Sequence, residues 1–242
     1  MNGDEARLAE ARAALDTVLD PELDESVVSL GFIGDLAVED DTVAVTFRLP
    51  TAWCSLNFGW IMAEDMRDAL SRLDWVRQAD IRLIDHFAAE KINAGIAGGE
   101  DFAATFGADA GGSLAGLRDT FRRKAYLGRM ATLIGLIRKT GRDDDAAIAH
   151  LTVAELDALR RDTILAGAID RYLELRVVFG GPAKASDPAF RDADGTDIPA
   201  GDLADFLRDI RMRRRGVEAN GEMCKVMLKA RYGQKKPAGG AS

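Results

Sequence analysis

Cys54 and Cys224 are the two thiols of this chain, 170 positions apart. A thiol, once deprotonated, binds soft metals or attacks electrophiles. Cys54 stands in Leu49-Pro50-Thr51-Ala52-Trp53-Cys54-Ser55-Leu56-Asn57-Phe58, where one periodicity gives way to another. Val43, Val45, Phe47 and Leu49 alternate on one side of a strand, while Phe58, Ile61, Met62, Met66, Ala69 and Leu73 recur at helical spacing. The junction predicts a thiol in the first turn of a helix. Free N–H groups and the positive end of the helix dipole there lower a thiol below its usual pKa of about 8.5. Asn220-Gly221 reads as another helix start and puts Cys224 in a like setting. The competing reading makes each cysteine a small buried hydrophobe, and the neighbours Trp53 and Met223 fit that burial.

His86 follows Asp85 at the end of a third alternating segment. Imidazole is a common metal ligand, and an adjacent carboxylate can orient a ring nitrogen or share the metal. A hydrogen-bonded structural histidine is the alternative. His150 follows the acidic turn Asp143-Asp144-Asp145 and reads as solvent-facing. Asp20 and Glu22 flank Pro21 in a turn. They are turn caps, or else one of them borders the Cys54 pocket as a hard oxygen ligand or as a base for the thiol. The sequence holds no Gly-x-Gly-x-x-Gly, no Gly-Lys-Ser/Thr and no hydrolase nucleophile elbow. These absences argue against a Rossmann dehydrogenase, a P-loop ATPase and an α/β-hydrolase.

The elements that must position these residues follow from period and punctuation. Residues 5–19 read as a helix along Leu8, Ala11, Leu15, Val18 and Leu19, stopped by Asp20-Pro21. Strands over Phe32–Glu39 and Val43–Leu49 flank the polar link Asp40-Asp41-Thr42 and predict a hairpin. The Cys54 helix comes next, then a strand over Val76–Ile84. The order α-β-β-α-β predicts a small α/β (α+β) domain over residues 1–87, followed by a mainly helical region over 88–232 that wraps on it. In that region a glycine-broken stretch runs from Gly95 to Gly112, and a long helix covers Leu114–Thr140. Thr152-Val153-Ala154-Glu155 has capping-box spacing. A helix over Ile164–Phe179, an ordered loop or linker bearing Pro182, Pro188 and Pro199 over Gly180–Gly201, and two last helices, Asp202–Arg214 and Glu222–Tyr232, complete it. Residues 233–242 read as a disordered tail.

A formal charge of −8 argues against general nucleic-acid binding, which draws its affinity from Lys and Arg on phosphates. The local exception is Arg208, Arg211, Arg213, Arg214 and Arg215, read either as a solvated or salt-bridged helix end or as a docking patch for an acidic protein surface. Two distant cysteines do not make a disulfide framework and suit a reducing cytoplasm. No secretory pattern opens the chain, and no uncharged apolar run reaches the roughly 18 residues of a membrane span. A cytoplasmic protein without membrane contact is expected.

Asp20-Pro21-Glu22-Leu23, Val27-Val28-Ser29-Leu30-Gly31-Phe32-Ile33 and Leu49-Pro50-Thr51-Ala52-Trp53-Cys54 together resemble the small iron–sulfur-cluster assembly domain of PaaD- and SufT-like proteins. The resemblance covers roughly residues 5–85. The usual Pro-x-Cys-Pro of that domain is here Pro50-Thr51-Ala52-Trp53-Cys54-Ser55. The remainder, through Asn220-Gly221-Glu222-Met223-Cys224 and Arg231-Tyr232, resembles longer versions that accompany bacterial di-iron monooxygenases of the propane-oxidising type. The resemblance implies a maturation factor rather than an enzyme. Cys54, with Cys224 and His86, would hold iron or an iron–sulfur cluster transiently, with Asp20 and Glu22 as further candidate ligands, and pass it to an apo-oxygenase or to other assembly proteins. Two thiolates and an imidazole suit iron better than magnesium or calcium. Since a four-thiolate cluster needs more than two cysteines, a homodimer or outside ligands would complete it. The alternative is a metal-free chaperone that docks on an oxygenase subunit through its helical region.

Overall fold

In the computed structural model, which describes residues 3–107 and 114–233 (of Val217 and Glu218 the backbone alone), the fold is α+β. The alternation at Val43, Val45 and Phe47 becomes the central strand of a three-stranded sheet, β2 (Thr42–Arg48). It pairs antiparallel with β1 (Ile33–Glu39) through a two-residue turn, and parallel with β3 (Gln78–Ile84), Val43 lying opposite Ala79 and Phe47 opposite Leu83. Its inward side chains are fully enclosed. One face of the sheet is covered by α1 (Gly3–Asp16) and α2 (Leu56–Ser71). Helix α2 buries Ile61, Met62, Met66 and Ala69 as the spacing predicts, and Trp60 and Leu70 with them. Helix α1 stops at Asp16 rather than continuing to residue 19, because Leu19 pairs with Ser26 in an isolated bridge.

The glycine-broken stretch folds into two short helices, α3 (Ala89–Gly98) and α4 (Phe102–Phe106), which close over Trp60. Gly95 is required there, for a Cβ would stand 2.4 Å from Thr105 Oγ1 and 2.8 Å from the Trp60 ring. Gly111 and Gly112 of that stretch lie outside the described residues, as do residues 234–242 of the expected tail.

The chain divides into two compact units, Met1–Leu117 with Glu218–Ser242, and Arg118–Val217. These are not the pieces 1–87 and 88–232 that the sequence suggests. The chain leaves the first unit within α5 (Leu114–Lys139) and returns to it within α9 (Leu203–Tyr232). Helix α9 is a second correction, being one continuous helix where two were expected. Gly221 does not break it, since a Cβ at that place would stand 3.1 Å from Leu23 Cδ2. The glycine permits close packing, and burial of Leu228 in the first core outweighs its weak helix propensity.

The second unit has its own core, built from Tyr126, Met130, Leu133, Ile134 and Ile137 of α5 with Ile169, Tyr172 and Leu175 of another helix, Thr163–Phe179 (α8). Between α5 and α8 stand α6 (Asp145–Ala149) and α7 (Val153–Ala158), the latter opened by the expected capping box of Thr152 and Glu155. Of the two readings of Gly180–Gly201, loop or linker, the structure has an ordered loop, pinned by the fully buried Arg176. Its guanidinium donates to the carbonyls of Ala189 at 3.1 Å, Gly181 at 2.8 Å and Pro188 at 3.0 Å. No helix among the described residues is long and apolar enough to cross a membrane.

Candidate functional site

Strand directions decide where the candidate residues meet. Because β1 is antiparallel to β2 and β3 parallel to it, the start of β1 and the ends of β2 and β3 share one edge of the sheet. The segments at that edge are the turn around Asp20, the loop Leu49–Ser55 with Cys54, and Asp85-His86-Phe87. The loops beyond strand C-termini are where open α/β sheets commonly bind ligands. The last turns of α9 lie along the same edge. Gly221 packs on Leu23, Lys225 pairs with Glu25 at 2.9 Å, Leu228 approaches Gly31, and Arg231 donates to the Asp85 carbonyl at 3.3 Å. Cys224 is carried into the first unit by this packing.

Both thiols are half-buried and free. Cys54 is not in the first turn of α2. Ser55 is the N-cap, and its carbonyl takes the amides of Phe58 at 3.0 Å and Gly59 at 3.2 Å. Cys54 precedes the cap in a turn closed by its own N–H on the Thr51 carbonyl. Its thiol is not acidified. Burial first, and the Asp20 charge second, push it up to about 11, outweighing the opposing Ser55 N–H. Cys224 sits well inside α9 and likewise lacks a helix-start amide. Burial and the charges of Asp20 and Glu22 raise its pKa as well. The electrostatic argument for reactive thiolates is therefore overturned: burial and the neighbouring carboxylates favour the protonated thiol at both positions.

The same electrostatics show which residues share the site. Each thiol feels Asp20 and Glu22, and Cys54 also feels Cys224. Asp20 is 6% exposed. Its Oδ1 accepts the amides of Glu22 at 2.9 Å and Leu23 at 2.8 Å, so it caps its own turn. Burial nonetheless raises its pKa to about 6, assisted by the nearby Glu22 and Glu25 charges. A buried carboxylate poised near neutrality beside two thiols is the kind of perturbation found at functional sites.

His86 belongs to this edge in a different role. Its Nδ1 accepts the Ala88 N–H at 3.2 Å, which leaves Nε2 as the protonated nitrogen, and that N–H donates to the Cys54 carbonyl at 2.9 Å. Burial lowers its pKa and favours the neutral ring. Both nitrogens are thus engaged with backbone rather than with the Asp85 carboxylate. In this arrangement His86 fixes the Cys54 loop from β3. Among the described residues, no three His, Cys, Asp or Glu side chains stand close enough to hold a metal ion together. His150 is exposed on the second unit, as expected.

Residues 8–81 match the iron–sulfur cluster assembly protein family. The match runs from α1 into β3 and includes Asp20, Glu22 and Cys54, but not His86 or Cys224. It supports a role in iron–sulfur cluster assembly or maturation and covers just under a third of the chain. No curated protein matches the chain.

Sequence reasoning missed the aromatic pair that flanks the thiol. Trp53 is 79% exposed and Phe87 55% exposed, yet their rings stack at 5.6 Å, and the Phe87 N–H donates to the Ala52 carbonyl at 3.0 Å. On α9, Met223, Val226 and Met227 are also exposed around Cys224. Ordered apolar side chains facing solvent together are a recognised mark of a protein contact. Trp53 directly before Cys54 was the available signal, but the stack depends on a residue at the end of another strand.

Proposed function

We propose that the first unit is a carrier in metalloprotein maturation, holding iron or an iron–sulfur cluster as cargo at Cys54 and Cys224 and releasing it to an apo-oxygenase of the di-iron type. The observation that carries this reading is that two thiols, 170 positions apart, come to one edge of the assembly-like sheet together with Asp20. Two thiols leave a tetrahedral iron two donors short. The reading therefore requires the remaining ligands from the receiving protein, an outside thiol or a second copy, which suits a site that must let go. Protonated thiols impose a second condition: cargo displaces a proton from each sulfur that it binds. Asp20 and Glu22 attract the incoming cation, and the exposed Trp53–Phe87 stack offers the receiving protein an apolar foothold beside Cys54.

A metal-free chaperone is the second reading. The engagement of both His86 nitrogens and the raised thiol pKa values favour it. Anaerobic reconstitution with Fe(II) and sulfide, followed by metal analysis and absorption spectra, separates the two. The carrier reading expects thiolate-to-iron charge-transfer bands that disappear in Cys54→Ala and weaken in Cys224→Ala. Iron-free protein that still activates an oxygenase client with both cysteines replaced by alanine would establish the chaperone.

A further inference from the structure

The arginine run Arg208–Arg215 has no part in the thiol site and lies wholly in the second unit. Neither a helix-end role nor a salt-bridged face accounts for it. It cannot complement a helix C-terminus, because α9 continues to Tyr232. Nor is it a salt-bridged face. Arg208 pairs with Asp205 at 3.0 Å, and Arg214 turns inward to the Gly128 carbonyl at 2.7 Å. Arg211, Arg213 and Arg215 are exposed and have no acidic partner among the described residues. Leu203, Leu207 and Ile210 are buried on the inner face of the helix, with Arg214 half-buried beside them. At 100° per residue, Arg208, Arg211, Met212 and Arg215 then form an outward stripe at i, i+3, i+4 and i+7. Met212, 62% exposed, stands in the middle of it. In a chain of net charge −8, this is a concentrated positive strip around one apolar side chain.

The geometry points to a docking strip for an acidic helix of a partner protein, one that presents carboxylates at i, i+3 and i+7 around an apolar residue. Carboxylates at that spacing face Arg211 and Arg215, which have no acidic partner among the described residues, and Arg208, which would share its guanidinium with Asp205, while the apolar residue covers Met212. Charge complementarity selects an acidic partner and steers its approach. The inference is independent of the carrier reading, since it uses no residue of the thiol site.

Fluorescence anisotropy on the full chain tests it. The probe is a labelled helical peptide of about 16 residues, long enough to hold a helix, with Glu at i, i+3 and i+7 around one Leu; a matched Gln peptide is the control. The Glu peptide is expected to bind at low ionic strength, roughly tenfold or more tightly than the Gln peptide, and to weaken at about 0.15 M salt. The double variant R211E/R215E should lose the Glu peptide by a similar factor and gain a Lys-bearing version of it. Circular dichroism melts confirm that the variant is folded, and R211Q/R215Q replaces it if it is not. Equal binding of the Glu and Gln peptides, or unchanged binding by the variants, would overturn the proposal. Preference for a DNA duplex or for phosphatidylserine vesicles over the Glu peptide would overturn it too.

Discussion

Replacing Asp20 with Asn removes a buried negative charge while leaving a side-chain oxygen to accept the Glu22 and Leu23 amides, so it isolates the electrostatic strain of the site. In the folded chain the carboxyl is raised from 3.8 to about 6. A rise of roughly two units at 1.36 kcal/mol each makes the ionised form cost about 3 kcal/mol. The two N–H bonds are already included in that net rise. The sign follows from linkage. Between pH 3.8 and about 6 the folded state binds more protons than the unfolded chain, so the stability associated with protonated Asp20 is full below the lower value and lost as pH rises through the upper one. Asp20→Asn does not titrate and resembles the protonated acid. It should therefore be the more stable protein at pH 7.5, by about 1–3 kcal/mol, and should differ little from the parent at pH 4. Urea unfolding at the two pH values measures the gap, since the other groups titrate alike in both proteins. A stabilising variant would mark Asp20 as a residue kept at the expense of stability, as functional groups often are. If Asp20→Asn is instead less stable at pH 7.5, or if the gap is the same at pH 4, Asp20 is only a turn cap and the electrostatic account of the site fails.

Four other outcomes are expected. Iodoacetamide should label Cys54 slowly at neutral pH, with a rate still climbing past pH 9 because the thiol lies at about 11; peptide mapping that shows a plateau below pH 9 would contradict the burial of that sulfur. Removal of the Asp20 charge in Asp20→Asn should speed the reaction. Fe(II) binding should release protons, its apparent affinity rising up to about tenfold per pH unit for each thiol displaced; calorimetry in buffers of different ionisation enthalpy reads this, and zero proton release would mean that the sulfurs are not ligands. Gly95→Ala drives a Cβ to within 2.4 Å of Thr105 Oγ1 and 2.8 Å of Trp60, so a loss of about 1–3 kcal/mol is expected. An unchanged melting temperature would show that α4 yields freely.

Periodicity made the local elements legible. Val43, Val45 and Phe47 could only serve a strand with one buried face, and Ile61, Met62, Met66 and Ala69 only a helix with one, because side-chain direction repeats every 2.0 residues in the one and every 3.6 in the other. The capping box at Thr152 and Glu155 was equally readable, since all its hydrogen bonds lie within four residues. The motif around Asp20 and Cys54 pointed to an assembly-type domain in the same local way.

Where the decisive contact was distant in sequence, local signals misled. Asn220-Gly221 looked like a helix start, but Gly221 is small so that α9 can approach Leu23. Proximity to a helix start suggested an acidic Cys54, yet a thiol's pKa depends on what surrounds it in space, and here burial and Asp20 outweigh a single amide. His86 could be seen as a ligand type, but only the pairing of β2 with β3 set its ring against the Cys54 carbonyl. The sequence by itself determined which residues have the chemistry and which segments are helix or strand, because those properties are carried by each residue and its near neighbours. The tertiary structure decided which of them meet and in what charge state, because desolvation and Coulomb interactions depend on distances that chain order does not set.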